Sequence, residues 1–82
     1  MKIFFVKSAE NELLRLDKKL AKRILDKINL LETDPYGQNS QKLGAAKGYR
    51  IRIGDYRVVY TVNKTAKTVT IIKIRHRRDV YR

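Results

Sequence analysis

The stretch YRIRIGDYRVVY, residues 49–60, decides how the rest of the chain is read. Tyr49, Ile51 and Ile53 alternate with Arg50 and Arg52. After Gly54 and Asp55, Tyr56, Val58 and Tyr60 alternate with Arg57 and Val59. A period of two sends successive side chains to opposite faces of a strand, and a two-residue interruption containing glycine joins two such strands into a hairpin. With Gly54 and Asp55 as the loop, Ile53 faces Tyr56, Arg52 faces Arg57 and Ile51 faces Val58. One face then holds Tyr49, Ile51, Ile53, Tyr56, Val58 and Tyr60; the other holds Arg50, Arg52 and Arg57. Like charges directly across a ladder repel. Packing gives no reason to set Arg52 against Arg57, whereas an anion gripped by two guanidinium forks does. The structural alternative is two long side chains splayed into water.

Working outward, a turn at 63–66 leads to a further strand over 68–74. Thr61, Thr68 and Thr70 join Val59 as small side chains on the arginine face and leave its floor open. At the other end, 3–6 reads as a short strand. Ser8 has helix N-cap chemistry for a helix over 9–16, and Asp17 for a second over 18–32. Leu13, Leu16, Leu20, Ile24, Ile28 and Leu31 recur at three- and four-residue spacing and form one apolar stripe. Lys18, Lys19, Lys22, Arg23 and Lys27 lie mostly off it, as a solvated face. Residues 33–37 stop the helix, and 38–48 read as a polar loop. The expected fold is one α+β domain spanning 1–82: an N-terminal strand, a two-helix hairpin and an antiparallel three-stranded meander, with the helices on one sheet face.

Charge narrows the partner. Lys and Arg number 20 against 8 acids, a net charge of +12. Residues 1–41 carry 8 basic and 6 acidic side chains, whereas residues 42–82 carry 12 and 2. So lopsided a basic half is the footprint of a polyanion: nucleic acid, a membrane surface or an acidic protein segment. With no cysteine and one histidine, neither a disulfide framework nor a zinc site with the usual ligands is expected. No metal or other cofactor is expected. The opening apolar run is too short for a signal-peptide core or a membrane span, which makes the cytoplasm the expected location and no membrane the expected partner.

The last eight residues, RHRRDVYR, concentrate chemistry at the end of the final strand. Arg75, Arg77 and Arg78 are phosphate-binding types. Histidine is the side chain whose ordinary pKa suits acid–base work near neutrality. Tyr81 suits base stacking. The strand is expected to deliver them to the surface that carries Arg50, Arg52 and Arg57, as one concave phosphate site. The residues alone leave open whether phosphates are bound only or also cleaved.

The 49–60 hairpin, followed by a strand ending in His76-Arg77-Arg78-Asp79-Val80-Tyr81, resembles the RelE/ParE toxin superfamily. The resemblance covers essentially the whole chain and is specific in its second half. Likeness to the RelE branch implies the toxin of a toxin–antitoxin pair. Such a toxin cleaves mRNA in the ribosomal A site without metal and is neutralised by a RelB-like antitoxin. The expected partners are therefore mRNA, the ribosome and that antitoxin. The resemblance assigns catalysis to Arg52, Arg57, His76, Arg77 and Tyr81, and RNA contacts to Lys47, Arg50, Arg75 and Arg78. Better-known members have lysines where this chain has Arg50 and Arg52. Arginine does not shed its proton, so Arg52 is expected to stabilise charge rather than act as a base. Two other readings share the family or the charge: a non-enzymatic ParE-like inhibitor of DNA gyrase, and a plain RNA-binding module.

Overall fold

The computed structural model describes residues 1–37, 40–43, 48–76 and 78. Strand β1 (Lys2–Phe5) leads into helix α1 (Lys7–Leu14) and helix α2 (Lys18–Leu30). Strands β2 (Ser40–Lys42), β3 (Tyr49–Ile53), β4 (Tyr56–Asn63) and β5 (Thr68–His76) follow. The α+β class and the packing of both helices on one sheet face are as expected. The sheet has five strands in the order β1-β5-β4-β3-β2, with β1 parallel to β5 and the other pairs antiparallel.

Local chemistry explains most element ends. The Asp17 side chain accepts a hydrogen bond from the Leu20 N–H at 3.0 Å and caps α2 as expected. Ser8 does not cap α1. The helix starts one residue before it, with Val6 at the N-cap and no side-chain cap bond. Val6 is held by the sheet instead, its N–H donating to the Ile71 carbonyl at 3.0 Å. Strand β2 was expected as loop. Its Ser-Gln-Lys sequence has no apolar alternation, so periodicity cannot reveal it. Backbone pairing of Ser40 with Ile51, and a hydrogen bond from Ser40 Oγ to the Gly37 carbonyl at 2.8 Å, hold it in place.

The β3–β4 register is the expected one, with Ile51 opposite Val58, Arg52 opposite Arg57 and Ile53 opposite Tyr56. Gly54 takes the left-handed turn conformation, φ +60°, that a side chain would strain. Between β4 and β5, Val59 faces Lys73 while Tyr60 faces Ile71, so Ile72 is the extra residue of a bulge. The bulge resets the alternation and keeps both Ile71 and Ile74 on the core side.

That core joins Ala9, Ile24, Ile28 and Leu31 of the helical layer to Ile51, Ile53, Val58, Tyr60, Val69, Ile71 and Ile74 of the sheet. The Tyr60 ring is fully buried and its hydroxyl donates to the Pro35 carbonyl at 2.7 Å. Burial pushes this phenol above the ordinary value of 10.0. Among the described residues no helix is long and apolar enough to cross a membrane.

Candidate nucleic-acid interface

The register turns scattered arginines into rows. Arg52 on β3 lies opposite Arg57 on β4, and Arg57 lies opposite Arg75 on β5. Directly opposed residues hold their Cβ atoms about 5 Å apart, so three guanidinium groups cross three adjacent strands side by side. The next row on this face is Gln41, Arg50, Val59 and Lys73. Both helices pack on the other face, and no described element covers this one. Every charged residue that the described strands present here is a cation. The arrangement concentrates positive charge on one surface, as a polyanion partner requires.

The cations differ in their surroundings. Arg57, in the middle of its row, is only 7% exposed, and it has interactions of its own within the fold. It was expected as an open-surface arginine, and its burial corrects that. A long aliphatic stem allows such a residue to be buried and still carry a charged head. Arg52, on β3 just past the last residue paired with β2, is exposed. Arg50 donates from Nε to Gln41 Oε1 at 3.2 Å, and a second guanidinium nitrogen donates to the same oxygen. Arg75 pairs with Glu12, whose other carboxylate oxygen accepts from the Ile74 N–H at 3.2 Å. Glu12 thus occupies the edge of β5 beyond the end of β1, where an unpaired ladder would otherwise face solvent.

His76 departs from the expectation of one shared surface. It lies opposite Tyr56, in the row of Ile53 on the helix side of the sheet, with its ring edge-on to Tyr56 at 5.3 Å. The cause is simple alternation: β5 runs on to His76, one residue past Arg75, and one residue changes face. Its Nδ1 accepts a hydrogen bond from the Arg78 N–H at 3.2 Å. Arg78 is exposed. Lys47, Arg77 and Tyr81 lie outside the described residues. Two contributors were missed in the sequence, Lys73 and Glu12. Lys73 was legible as a basic residue inside a strand, but the bulge obscured its face. Glu12 acts across a sequence separation that no local pattern reports. Among the described residues no three His, Cys, Asp or Glu side chains cluster as metal ligands.

Comparison with known proteins agrees with this fold. The family model described as the ParE toxin of the type II toxin–antitoxin system parDE matches residues 3–81. The fold is similar to that in the archaeal RelE–RelB complex of Pyrococcus horikoshii OT3, with 32% identity, 93% of each chain covered and a TM-score of 0.81. It is also similar to that in the RelB–RelE antitoxin–toxin complex of Methanococcus jannaschii, with 26% identity, 95% of this chain and 94% of that one covered, and a TM-score of 0.76. The isolated E. coli RelE toxin shares the fold at 21% identity, with 92% and 82% covered and a TM-score of 0.81. No curated protein matches the chain.

Proposed function

This chain belongs to the RelE/ParE superfamily of type II toxin–antitoxin toxins, and we propose from that premise that it is a metal-independent endoribonuclease that cleaves mRNA on the ribosome and so blocks translation. Its cytoplasmic partners are then translating ribosomes with their message and a RelB-like antitoxin. The observation that carries the reading is the Arg52–Arg57–Arg75 row on an uncovered sheet face.

In the proposed reaction the ribose 2′-oxygen attacks the adjacent phosphorus and the bond to the 5′-oxygen breaks. The products are a 2′,3′-cyclic phosphate and a 5′-hydroxyl end, the leaving oxygen taking up a proton. Arg52 and Arg57, with Arg50 beside them, hold the non-bridging oxygens. Their preorganised charge opposes the negative charge that grows in the pentacovalent state. Arg77 neutralises the leaving oxygen and Tyr81 stacks on a base, the roles that the resemblance assigns them. Lys47 and Arg78 add phosphate contacts at the margin. The 2′ proton passes to solvent water as the new P–O bond forms, since no arginine removes it, and water returns a proton to the leaving 5′-oxygen. The ribosome contributes by orienting the message, since positioning alone supplies much of a barrier reduction. His76, turned to the helix side, acts as a positioning residue for the strand exit through its bond to Arg78.

Primer extension on message in a translating extract tests this. Discrete ends on translated message, absent from untranslated message and from Arg52→Ala, are the expected result. The match to the ParE model favours a second reading, inhibition of DNA gyrase without cleavage. Intact message together with blocked gyrase supercoiling would establish that reading instead.

A further inference from the structure

β1 places neighbouring phenylalanines in opposite settings. Phe5 packs against the core, whereas Phe4 is 51% exposed on the uncovered face. Phe4 lies opposite Thr70, which lies opposite Thr61. Gly48 continues this row beside Thr61, and a Cβ there would come within 2.4 Å of the Tyr60 carbonyl oxygen. No side chain can rise at that point. The row is a low shelf of threonine and glycine with one aromatic ring at its β1 end. A bare ring on an edge strand forgoes burial and invites edge-to-edge association, so packing does not account for it.

The charges that the described strands place around the shelf are all of one sign. Lys2 lies opposite Thr68 on the same face, and Lys73 and Arg50 form the row between the shelf and the arginines. Thr61 lies four residues from Arg57 along β4, about 13 Å at the usual strand rise. We propose that Phe4 is a stacking platform for an unpaired base of the RNA strand whose phosphates lie on the arginine rows. An exposed ring on a flat sheet face, flanked by cations, offers a single-stranded nucleic acid both its needs: a π-surface for a base and counter-charges for the backbone. The platform tolerates any base and fixes where along the strand the scissile phosphate falls. This rests on the RNA reading of the arginine face.

The test is binding of the purified toxin to a short single-stranded RNA carrying 2-aminopurine, whose fluorescence falls on stacking. The wild type is expected to quench the probe. Phe4→Ala is expected to abolish quenching and weaken binding roughly 5- to 100-fold, with an unchanged thermal midpoint. Phe4→Trp is expected to restore both, and Phe4→Leu, apolar but without a π-face, neither. Arg52→Ala separates the two ideas: it weakens binding and flattens the salt dependence, yet leaves quenching at saturation. If Arg52→Ala weakens binding and Phe4→Ala does not, the platform is wrong and the RNA reading stands. If the wild type binds no RNA and primer extension shows no cleavage of translated message, both are wrong; if it binds none while translated message is cleaved, the platform alone is wrong.

Discussion

The two faces of β4 follow opposite rules within one strand. On the helix side, Val58 and Tyr60 are fully buried among apolar neighbours. On the other side, Arg57 sits between Arg52 and Arg75, and Val59 between Arg50 and Lys73. The first face stabilises the fold by removing apolar surface from water. The second sets like charges against each other, which costs stability unless an anion joins them. Glu12 partners Arg75 and Gln41 partners Arg50, yet cations still outnumber acids on this face, and an added anion would find its binding energy there.

Substitutions at adjacent residues break or confirm this comparison most sharply. Val58→Asp buries an unpaired carboxylate and is expected to cost more than about 4 kcal/mol, enough to unfold the domain by circular dichroism. Val59→Asp, one residue along, places an acid among cations. It is expected to keep the fold and the thermal midpoint while abolishing cleavage. Equal damage to folding from both would erase the distinction between the faces.

Arg57 belongs to both regimes. Arg57→Ala removes a buried stem and is expected to cost about 1–2 kcal/mol in denaturant unfolding, besides all activity. Arg57→Met keeps the buried stem and removes the charge, so activity is lost with a smaller loss of stability than in Arg57→Ala. Added phosphate should raise the thermal midpoint of wild type and raise it less in Arg57→Met. An equal rise in both would mean that the row holds no anion.

Tyr60→Phe tests the covered face gently. Loss of the bond to the Pro35 carbonyl is expected to cost about 1 kcal/mol below pH 10. The folded-state pKa of Tyr60 is raised above 10.0. Its contribution is therefore fully present below that value and is lost as pH rises through the folded pKa, because the unfolded chain ionises first. Tyr60→Phe should blunt this alkaline loss, read as unfolding against pH.

The smallest effects concern the end of β5. Glu12→Gln keeps an acceptor for the Ile74 N–H but removes the partner charge of Arg75, and should cost less than about 1 kcal/mol. His76→Gln should leave the pH profile of cleavage on a saturated ribosome complex without a lost inflection and lower the rate only a few-fold. Loss of an inflection near the histidine range would make His76 a proton-transfer residue after all, despite its place on the helix side.

Much of this was legible in local pattern. The period-two alternation of 49–60 with Gly54 and Asp55 determined the hairpin, its register and the pairing of Arg52 with Arg57, because a strand offers only two faces and a short turn allows one register. The apolar spacing from Leu13 to Leu31 and the Asp17 cap determined the two helices in the same way. Only the tertiary structure decided what depends on contacts distant in sequence. Strand β2 forms on polar residues through backbone pairing and the Ser40 Oγ bond to the Gly37 carbonyl. Arg57 is buried in the middle of a row whose third member, Arg75, comes from another strand. The bulge at Ile72 and the length of β5 assign Lys73 to the arginine face and His76 to the helix side. Glu12 reaches β5 across a separation of 62 residues. Alternation reports the face of a side chain only while its count is unbroken, and no sequence pattern records where a bulge breaks that count or which distant residue closes over a site.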